Sequence, residues 1–413
     1  MSQFLKVKTA GEVLDIVTTF NPLGTEKAGL EAACGRVLAS AVAAPEALPH
    51  FDRATMDGYA VKARDTFGAS ETLPAMLEIS GESLMGQEVT LQLESGRAIA
   101  VPTGGMVPRG ADAVVMVEYT HHLDEKTIEV FKPVAPGDNM VKVGEEIARR
   151  EQLFPQGWRL RAQDIGLLAA LGVTEVAVHR RPRVAIISTG DEIVPASSAA
   201  PPPGKVRDVN SFTLAAMVRQ AGATVTTSRV LPDDLDELVA ACRDALDYND
   251  VLLLSGGSSV GVRDFTLRVL DHFVDAELLA HGVAIRPGKP TILARIGEKV
   301  FWGLPGQPVS ALMICMAFVR PSLAVLEGQS DLGVLTGHSI KALLQRQLPS
   351  VHGRTDYIPV LASTADGQVW ATPVFGKSAM IGMLAKANGY VVVPEHVEGL
   401  DRGSEVEVYL FTR

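Results

Sequence analysis

A glycine-rich segment that runs from an apolar strand to a carboxylate is the clearest candidate for chemistry in this sequence. Residues 252–264 read Leu-Leu-Leu-Ser-Gly-Gly-Ser-Ser-Val-Gly-Val-Arg-Asp. The glycines permit close backbone approach, the serines add hydroxyl donors, and the final aspartate is a candidate cation ligand. A helical pattern follows, and a helix N-terminus favours anions. The segment indicates an anion beside a metal, although a strand-to-helix turn without ligand is an open alternative. The residues concerned are Gly256, Gly257, Ser258, Ser259 and Asp264.

Carboxylates also follow two other predicted strands. Asp191 and Glu192 come after the apolar run 184–187, and Asp233 comes after the run 224–230. In a parallel sheet these strand ends meet at the edge where ligands bind. Neighbouring carboxylates repel each other unless a hard cation such as Mg²⁺ is bound. We therefore predict Glu192, Asp233 and Asp264 as metal ligands, with plain turns and helix caps as the alternatives. For Asp208, Asn210 and Ser211, helix capping and ligand contact both remain open.

Basic residues on stiff loops are candidates for binding an anion. Arg286 and Lys289 stand about one turn apart within Ala284-Ile-Arg-Pro-Gly-Lys-Pro290, an arrangement that suits a clamp for phosphate or another oxyanion. A solvated basic turn is the alternative. Proline stiffens a second loop at Pro305 and Pro308. Further along, Arg354, Lys377 and Ser378 either contact an anion or belong to hairpin turns.

Two polar islands interrupt apolar segments in the β-rich second stretch of the chain. Phe51-Asp-Arg-Ala-Thr-Met-Asp-Gly-Tyr59 contains Asp57, and Val101-Pro-Thr-Gly-Gly105 contains Thr103. Both side chains carry oxygen atoms suited to a polar site. Both are also common turn residues, and that interpretation remains open.

The elements that position these residues fall into four stretches. Two short helices are expected first, one opened by a capping box at Thr9 and Glu12 and one running from Thr25 through Leu38. From about Ala44 short strands are broken by Gly and Pro. Apolar strands then alternate with helices, which predicts a mainly parallel sheet covered on both faces. After Gly328 short alternating segments return, predicting a β domain.

Composition limits the class of protein. A length of 413 residues predicts about three domains at roughly 150 residues each. A net charge of -10 and an aromatic content of 5% disfavour nucleic acid as a partner. The longest apolar run, 311–319, is half the length that crosses a bilayer, so we expect a cytoplasmic protein without membrane association. Cys34, Cys242 and Cys315 lack zinc spacing and are expected to be reduced core thiols.

Taken together, the motifs resemble the molybdopterin molybdenumtransferase (MoeA) family, which includes the C-terminal (E) domain of gephyrin. The resemblance covers essentially the whole chain. The motifs that carry it are Met56-Asp-Gly-Tyr-Ala60, Pro102-Thr-Gly104, Gly110-Ala-Asp-Ala-Val-Val115, Ser188-Thr-Gly-Asp-Glu192, Ser255-Gly-Gly-Ser-Ser-Val-Gly261, Pro287-Gly-Lys-Pro290 and Gly303-Leu-Pro-Gly306.

The resemblance implies a multidomain α/β plus β fold with four domains. These are an elongated N-terminal helical and β domain (1–50 with 140–180), an inserted β-rich domain (51–139), a central three-layer α/β/α domain with a mainly parallel sheet that binds molybdopterin (181–328), and a C-terminal β-barrel-like domain (329–413). It also implies a homodimer in which the β-rich domain of one subunit faces the α/β domain of the other. Asp57 and Thr103 would then join a site made by Glu192, Asp233, Asp264, Arg286, Arg354 and Ser378.

The implied reaction belongs to molybdenum cofactor biosynthesis. The resemblance implies that the enzyme takes adenylylated molybdopterin and molybdate, cleaves the phosphoanhydride with the help of Mg²⁺, leaves molybdenum on the dithiolene and releases AMP. The resemblance assigns Asp57, Thr103, Glu192, Asp233 and Asp264 to catalysis. It assigns the Gly256–Ser259 loop, Arg286, Lys289, Pro305, Pro308, Arg354 and Ser378 to substrate binding.

Partners and alternatives follow from the same resemblance. The adenylyltransferase that supplies the substrate and the acceptor molybdoenzymes are candidate partners. An adenylyltransferase activity or a non-catalytic dimeric scaffold are alternative functions on the same fold. Two residues depart from the family pattern: Glu146 replaces a common aspartate and Gln307 a common asparagine. Either departure bears on the choice between molybdate and tungstate, which the sequence leaves open.

Overall fold

The computed structural model describes residues 7–256, 262–330 and 339–411, with backbone alone for 262–264. The chain divides into two compact units. The first contains Met1–Ser40, Gln156–Leu160 and Ala177–Arg413, and the second contains Ala41–Pro155 and Arg161–Val176. The four domain boundaries expected from the resemblance stay a prediction.

The first helix, α1 (Ala10–Thr18), begins with the predicted capping box. Glu12 N donates to Thr9 Oγ1 at 3.2 Å, and Thr9 N donates to Glu12 Oε2 at 2.7 Å. These bonds satisfy backbone donors that have no partner within the helix. Val13 and Val17 bury one face of α1 in the core of the first unit.

The second predicted helix, from Thr25 to Leu38, is wrong. The structure has strand β1 (Thr25–Gly29) followed by a short helix α2 (Leu30–Ala33). Gly35 then takes φ +77°, a left-handed conformation that ends a helix, and Leu38 N donates to the distant Trp158 O at 2.9 Å. Pairing with remote backbone therefore overrides the local helical pattern.

The second unit is built on a six-stranded sheet. Its strand order is β7-β4-β6-β5-β9-β8. The close pairing of β4 with β7 requires glycine at position 58, because a Cβ there would lie 1.9 Å from Val115 O. The elements of this unit are β2 (Val42–Ala43), β3 (Arg53–Ala54), β4 (Gly58–Val61), β5 (Ala75–Glu82), β6 (Arg97–Val101), β7 (Ala113–Met116), β8 (Thr120–His122), β9 (Thr127–Val130), β10 (Met140–Val141), β11 (Gln152–Phe154) and α3 (Ala162–Ala170), with 3₁₀ turns at Ala63–Thr66 and Val117–Tyr119.

The α/β part of the first unit follows β12 (Glu175–His179) and contains a mixed six-stranded sheet in the order β16-β13-β17-β21-β20-β18. The first four strands are parallel, and β20 and β18 form an antiparallel edge. The elements are β13 (Arg183–Thr189), β14 (Ile193–Val194), β15 (Val206–Arg207), α4 (Asn210–Gln220), β16 (Thr224–Leu231), α5 (Leu235–Tyr248), β17 (Val251–Gly256), α6 (Val262–Leu270), β18 (Ala276–His281), β19 (Ile285–Arg286), β20 (Ile292–Ile296), β21 (Lys299–Leu304), α7 (Pro308–Ile314), a π-helical turn (Cys315–Val319) and α8 (Arg320–Leu326).

Side chains on the two faces of this sheet enter two separate cores. Val184, Ile186 and Leu253 pack with helices α1, α4, α7 and α8, while Ile187 and Leu254 pack with α5 and α6. Successive strand residues point to opposite faces, so the central strands β13 and β17 are apolar on both faces. In these two strands the polar residues Ser188, Thr189 and Ser255 come at the carboxyl ends.

The C-terminal part of the first unit contains a closed five-stranded barrel. Strands run in the order β24-β25-β22-β28-β26, and β26 pairs with β24 to close the ring. Strand β19 adds to β24 in parallel. The elements are β22 (Ser339–Leu344), β23 (Leu348–Pro349), β24 (Thr355–Ala365), β25 (Gln368–Pro373), α9 (Ile381–Lys386), β26 (Gly389–Val393), β27 (Gly399–Leu400) and β28 (Glu405–Leu410). The predicted multidomain α/β plus β fold class is confirmed.

Cysteine burial departs from expectation at one position. Cys242 and Cys315 are buried, and burial raises the pKa of each thiol to about 12. Cys34 directly follows helix α2 and is exposed, so the expectation of a core thiol is wrong there.

Among the described residues one helical stretch, Pro308–Leu326, is long and apolar enough to cross a membrane, but 83% of that window is buried inside the protein. Such burial is typical of a core helix.

Candidate active site

A cavity of about 1310 Å³ opens in the first unit, beside the ends of β17 and β21 and the start of β24. Six of the residues predicted to bind substrate line it: Gly256, Arg286, Lys289, Pro305, Arg354 and Ser378. The loop and strand topology therefore brings together side chains that are more than a hundred residues apart in sequence. Apolar contacts come from Val374, Phe375 and Met383.

Cationic side chains dominate the polar lining of this cavity. Among the described residues, Arg286, Lys289, Arg354 and Lys377 line it together with one carboxylate, that of Asp356. The chain as a whole carries a net charge of -10. Because the overall charge repels anions, this local excess of positive charge marks the place where an anion is attracted. The four basic side chains are suited to phosphate or another oxyanion.

The loop that carries Lys377 and Ser378 is fastened to the start of helix α7. Ser378 Oγ donates to Gln307 Oε1, and Val309 N donates to Ser378 O at 3.0 Å. Gln307 is the N-cap residue and Pro308 is the first residue of the helix. The cavity lining at this point is formed by Gln307, Val309 and Ser310, so the role predicted for Pro308 stays a prediction.

Carboxylates meet at the ends of β13 and β16, as the sequence predicts. Thr189 Oγ1 donates to Asp233 Oδ1 at 2.6 Å, and Asp233 N donates to Asp191 Oδ1 at 3.2 Å. Glu192 follows in the same turn and is half-buried. Oxygen ligands of this kind suit a hard cation. Within the described residues no group of three His, Cys, Asp or Glu side chains is arranged to hold a metal.

The third predicted carboxylate lies at the edge of what the structure describes. Gly257, Ser258 and Ser259 are outside the described residues. Asp264 falls in the first turn of α6, and at this position the structure describes the backbone alone. The strand-to-helix arrangement of this segment is the predicted one, and the metal ligation by Glu192, Asp233 and Asp264 stays a prediction.

Asn210 links the ends of two parallel strands. Its Nδ2 donates to Ser255 Oγ at 2.8 Å and to Gly306 O at 2.9 Å. The side chain thereby ties the start of the glycine-rich loop to the loop after β21. Asp208 accepts a bond from Ser211 N at 3.1 Å, which fits the capping interpretation of that residue. Asp234 likewise caps α5 by accepting from Glu237 N at 2.9 Å.

In the second unit, Asp57 and Thr103 form a pair. Thr103 donates to Asp57 Oδ1 through its backbone N at 2.7 Å and through its Oγ1 at 2.9 Å. Both bonds lower the pKa of Asp57 below its ordinary value, and the backbone bond contributes more than the hydroxyl bond. Asp57 is an exposed, ionised carboxylate in this unit.

One residue of the cavity escaped sequence reasoning. Asp356 is 1% exposed and bonds Arg354, yet only Arg354 was predicted as a site residue. The Arg-x-Asp spacing was a usable signal, because residues two apart lie on the same side of an extended segment. The second contact of Asp356, with Arg286, depends on pairing between distant strands.

Family models match three segments that together span most of the chain. They are described as the MoeA N-terminal region (domain I and II) over residues 5–172, a probable molybdopterin binding domain over 185–325, and the MoeA C-terminal region (domain IV) over 341–411. Molybdopterin molybdenumtransferase of Bacillus subtilis is 34% identical over 94% of this chain and 90% of that protein. The protein of the same name from Haemophilus influenzae is 31% identical over 94% of this chain and 95% of its own length.

Solved structures give the same result. The crystal structure of a molybdopterin biosynthesis MoeA protein from Pyrococcus horikoshii superposes with a TM-score of 0.85 at 33% identity, and covers 98% of this chain and 100% of that chain. Sequence models, curated relatives and a solved structure therefore agree along nearly the full length. The chain belongs to the molybdopterin molybdenumtransferase (MoeA) family of molybdenum cofactor biosynthesis.

Proposed function

We propose that the protein inserts molybdenum from molybdate into adenylylated molybdopterin and releases AMP. The observation that carries this proposal is the cavity in which Arg286, Lys289, Arg354, Lys377 and Ser378 converge. Molybdate is an oxyanion and adenylylated molybdopterin carries phosphate. Because the net charge of the chain is negative, both need a locally positive pocket. Family membership supplies the reaction class.

The basic side chains bind and orient the two anions. Arg286 and Arg354 present planar forks that match phosphate and tetrahedral oxyanions, and Lys289 adds a point charge. Gln307 accepts the hydroxyl hydrogen of Ser378 and holds this side chain in the cavity lining, where its oxygen can accept a hydrogen bond. Pro305, Pro308 and the Gly256–Ser259 loop shape the remaining contacts with the pterin substrate. Holding both reactants in one place lowers the entropic part of the barrier.

The proposal places a magnesium ion at the acidic strand ends. Glu192, Asp233 and Asp264 offer the oxygen ligands that Mg²⁺ takes, and Thr189 fixes one oxygen of Asp233. When bound, Mg²⁺ would polarise a phosphoryl oxygen and stabilise the leaving phosphate. The Asn210 contacts with Ser255 and Gly306 hold the neighbouring loops in place. The reaction requires no side-chain nucleophile.

The proposal includes a homodimer in which Asp57 and Thr103 of a second copy complete the site. The exposed, ionised carboxylate of Asp57 supports this part of the proposal, because such a group is free to contact a ligand or a metal ion of another subunit. A cytoplasmic location, the adenylyltransferase that supplies the substrate and the acceptor molybdoenzymes remain predictions.

AMP release tests the proposal. Purified protein is given adenylylated molybdopterin, Mg²⁺ and either molybdate or tungstate, and AMP is followed for the wild type, Asp264→Ala and a control, Asp250→Asn. Asp250 lies at the opposite, amino-terminal edge of the sheet, where it bonds Arg180. We expect release to fall roughly a hundredfold in Asp264→Ala and to persist in the control.

Equal release in wild type and Asp264→Ala would contradict the role of that aspartate. A parallel incubation with molybdopterin and ATP separates the alternatives. Formation of adenylylated pterin would identify an adenylyltransferase. A protein that binds the pterin but yields neither product would be a scaffold.

A further inference from the structure

We propose that Asp356 is a positioning residue whose buried carboxylate holds Arg354 and Arg286 in the orientation that binds an oxyanion. The inference rests on the proposed function for the identity of that oxyanion, molybdate or the substrate phosphate. Asp356 itself faces the two guanidinium groups and is 1% exposed.

The contacts of Asp356 with the two arginines differ in kind. Arg354 Nε donates to Asp356 Oδ1 at 2.9 Å, and Arg354 Nη2 donates to Asp356 Oδ2 at 3.3 Å. Arg286 Nη1 lies 3.9 Å from Asp356 Oδ2, a distance at which the charges attract without a direct hydrogen bond. A single carboxylate therefore fixes the plane of one guanidinium and attracts the other.

Burial separates the carboxylate from the ligand side of the cavity. The Asp356 side chain is 2% exposed, whereas those of Arg354 and Arg286 are 32% and 63% exposed. All three residues line the cavity, but nearly all of the exposed surface belongs to the guanidinium groups and almost none to the carboxylate. A ligand anion in the cavity therefore has far more cationic than anionic surface to contact.

Backbone pairing places Asp356 in this position. Strand β19 pairs with β24 in parallel, with Ile285 opposite Thr355 and Arg286 opposite Asp356. Thr355 N also donates to Ala284 O at 2.9 Å. The two arginines come from chain segments about seventy residues apart, and the register of this short pairing brings them to one carboxylate.

Two physical effects of Asp356 on anion binding have opposite signs. A carboxylate near an anion site repels the anion, so removing its charge alone would tighten binding. Removing the carboxylate also frees two long side chains that repel each other and have many rotamers, which weakens binding. A positioning role requires the second effect to exceed the first, so the direction of the change decides the question.

The test uses Asp356→Asn in the full-length protein, which keeps the shape of the side chain and removes its charge. Binding of molybdate alone, and separately of inorganic phosphate, is measured by titration calorimetry at low ionic strength. We expect Kd for the anion to rise roughly tenfold or more, the equivalent of losing one charge-assisted hydrogen bond. Tighter or unchanged binding would overturn the inference, as would failure of the wild type to bind either anion.

Asp250→Asn is the matched structural control. Asp250 makes a similar fork with Arg180, at 2.8 and 2.9 Å, on the amino-terminal edge of the sheet. This variant should lower thermal stability and leave anion Kd unchanged. An equal loss of anion binding in both variants would show a general effect on folding and contradict the positioning role.

A double variant tests whether Asp356 acts through Arg354. In an Arg354→Gln background, adding Asp356→Asn should change anion Kd by less than about twofold, because the side chain that it positions most directly is absent. A repeated tenfold loss would contradict the proposed route.

A measurement on the wild type covers the case in which Asp356→Asn does not fold. The Arg354 Nε–H, observed by NMR with labelled arginine, should exchange with water more slowly than that of Arg295, whose partner Glu277 is exposed. Equal exchange would contradict a fixed guanidinium. These readouts need no turnover, so loss of AMP release in the wild type would defeat the proposed function and leave this inference standing.

Discussion

At the scale of single residues, two hydrogen bonds decide how readily the Asp57 carboxyl group ionises. The two bonds from Thr103 to one oxygen of Asp57 favour the ionised carboxylate and lower its pKa. A pKa that is lower in the folded protein contributes stability above the unfolded value, and this contribution is lost as pH falls through the folded value. Asp57 therefore stays a carboxylate at neutral and mildly acidic pH.

Replacing Thr103 with Val should raise the pKa of Asp57 towards its ordinary value. The hydroxyl bond is lost and the stronger backbone bond remains, so the rise is partial. Titration of the Asp57 carboxyl carbon by NMR measures it, with Thr55→Val as a neighbouring control. An Asp57 pKa identical in Thr103→Val and wild type would show that the hydroxyl contributes nothing.

The sequence predicts which residues meet at the sheet edge, because strand ends are readable from local pattern. The rule that carboxyl ends of parallel strands share one edge was enough to place Asp191 beside Asp233. The contact of Asp356 with Arg286 could not be predicted in this way, because it depends on the pairing of distant segments. Periodicity and turn chemistry carry no information on such a register.

At the scale of elements, helix α1 shows how local signals succeed. The Thr9 and Glu12 capping box was predicted and is present, since all its atoms lie within one turn. Val13 and Val17 then pack into the core of the first unit. The same local reasoning failed for residues 25–38, where β1 and a bond from Leu38 to Trp158 replaced the expected helix.

Thr9→Ala should lower the free energy of unfolding by about 1 kcal/mol, because Glu12 N, which has no partner within the helix, loses its acceptor. Urea denaturation measures the change. Thr18→Ala is the control, since Thr18 Oγ1 only donates to a carbonyl within the last turn, that of Asp15. A loss in Thr18→Ala as large as that in Thr9→Ala would contradict a specific role for the cap.

At the scale of the whole molecule, the proposed homodimer makes a prediction about mixed subunits. Asp57 belongs to the second unit and Arg354 to the first. If each site takes Asp57 from one copy and Arg354 from the other, a dimer with one Asp57→Ala and one Arg354→Ala subunit contains one intact site. Roughly half of the wild-type AMP release per dimer should return, whereas each variant alone should be inactive.

Co-expression with two different affinity tags isolates the mixed dimers. The control pairs Arg354→Ala with Asp264→Ala, both in the first unit, and should recover nothing because neither site is then complete. Recovery in both mixtures, or in neither, would contradict a site shared in this way.

The closed barrel has a consequence for the timing of synthesis. Strand β28 (Glu405–Leu410) lies between β22 and β26, so the ring of strands cannot form before residues 405–410 have left the ribosome. Strand β24, which carries Asp356 to the cavity, belongs to that ring. A nascent chain halted before residue 405 would therefore hold a finished α/β sheet and an unfinished binding pocket, so competence for the anion is acquired after translation has passed the barrel.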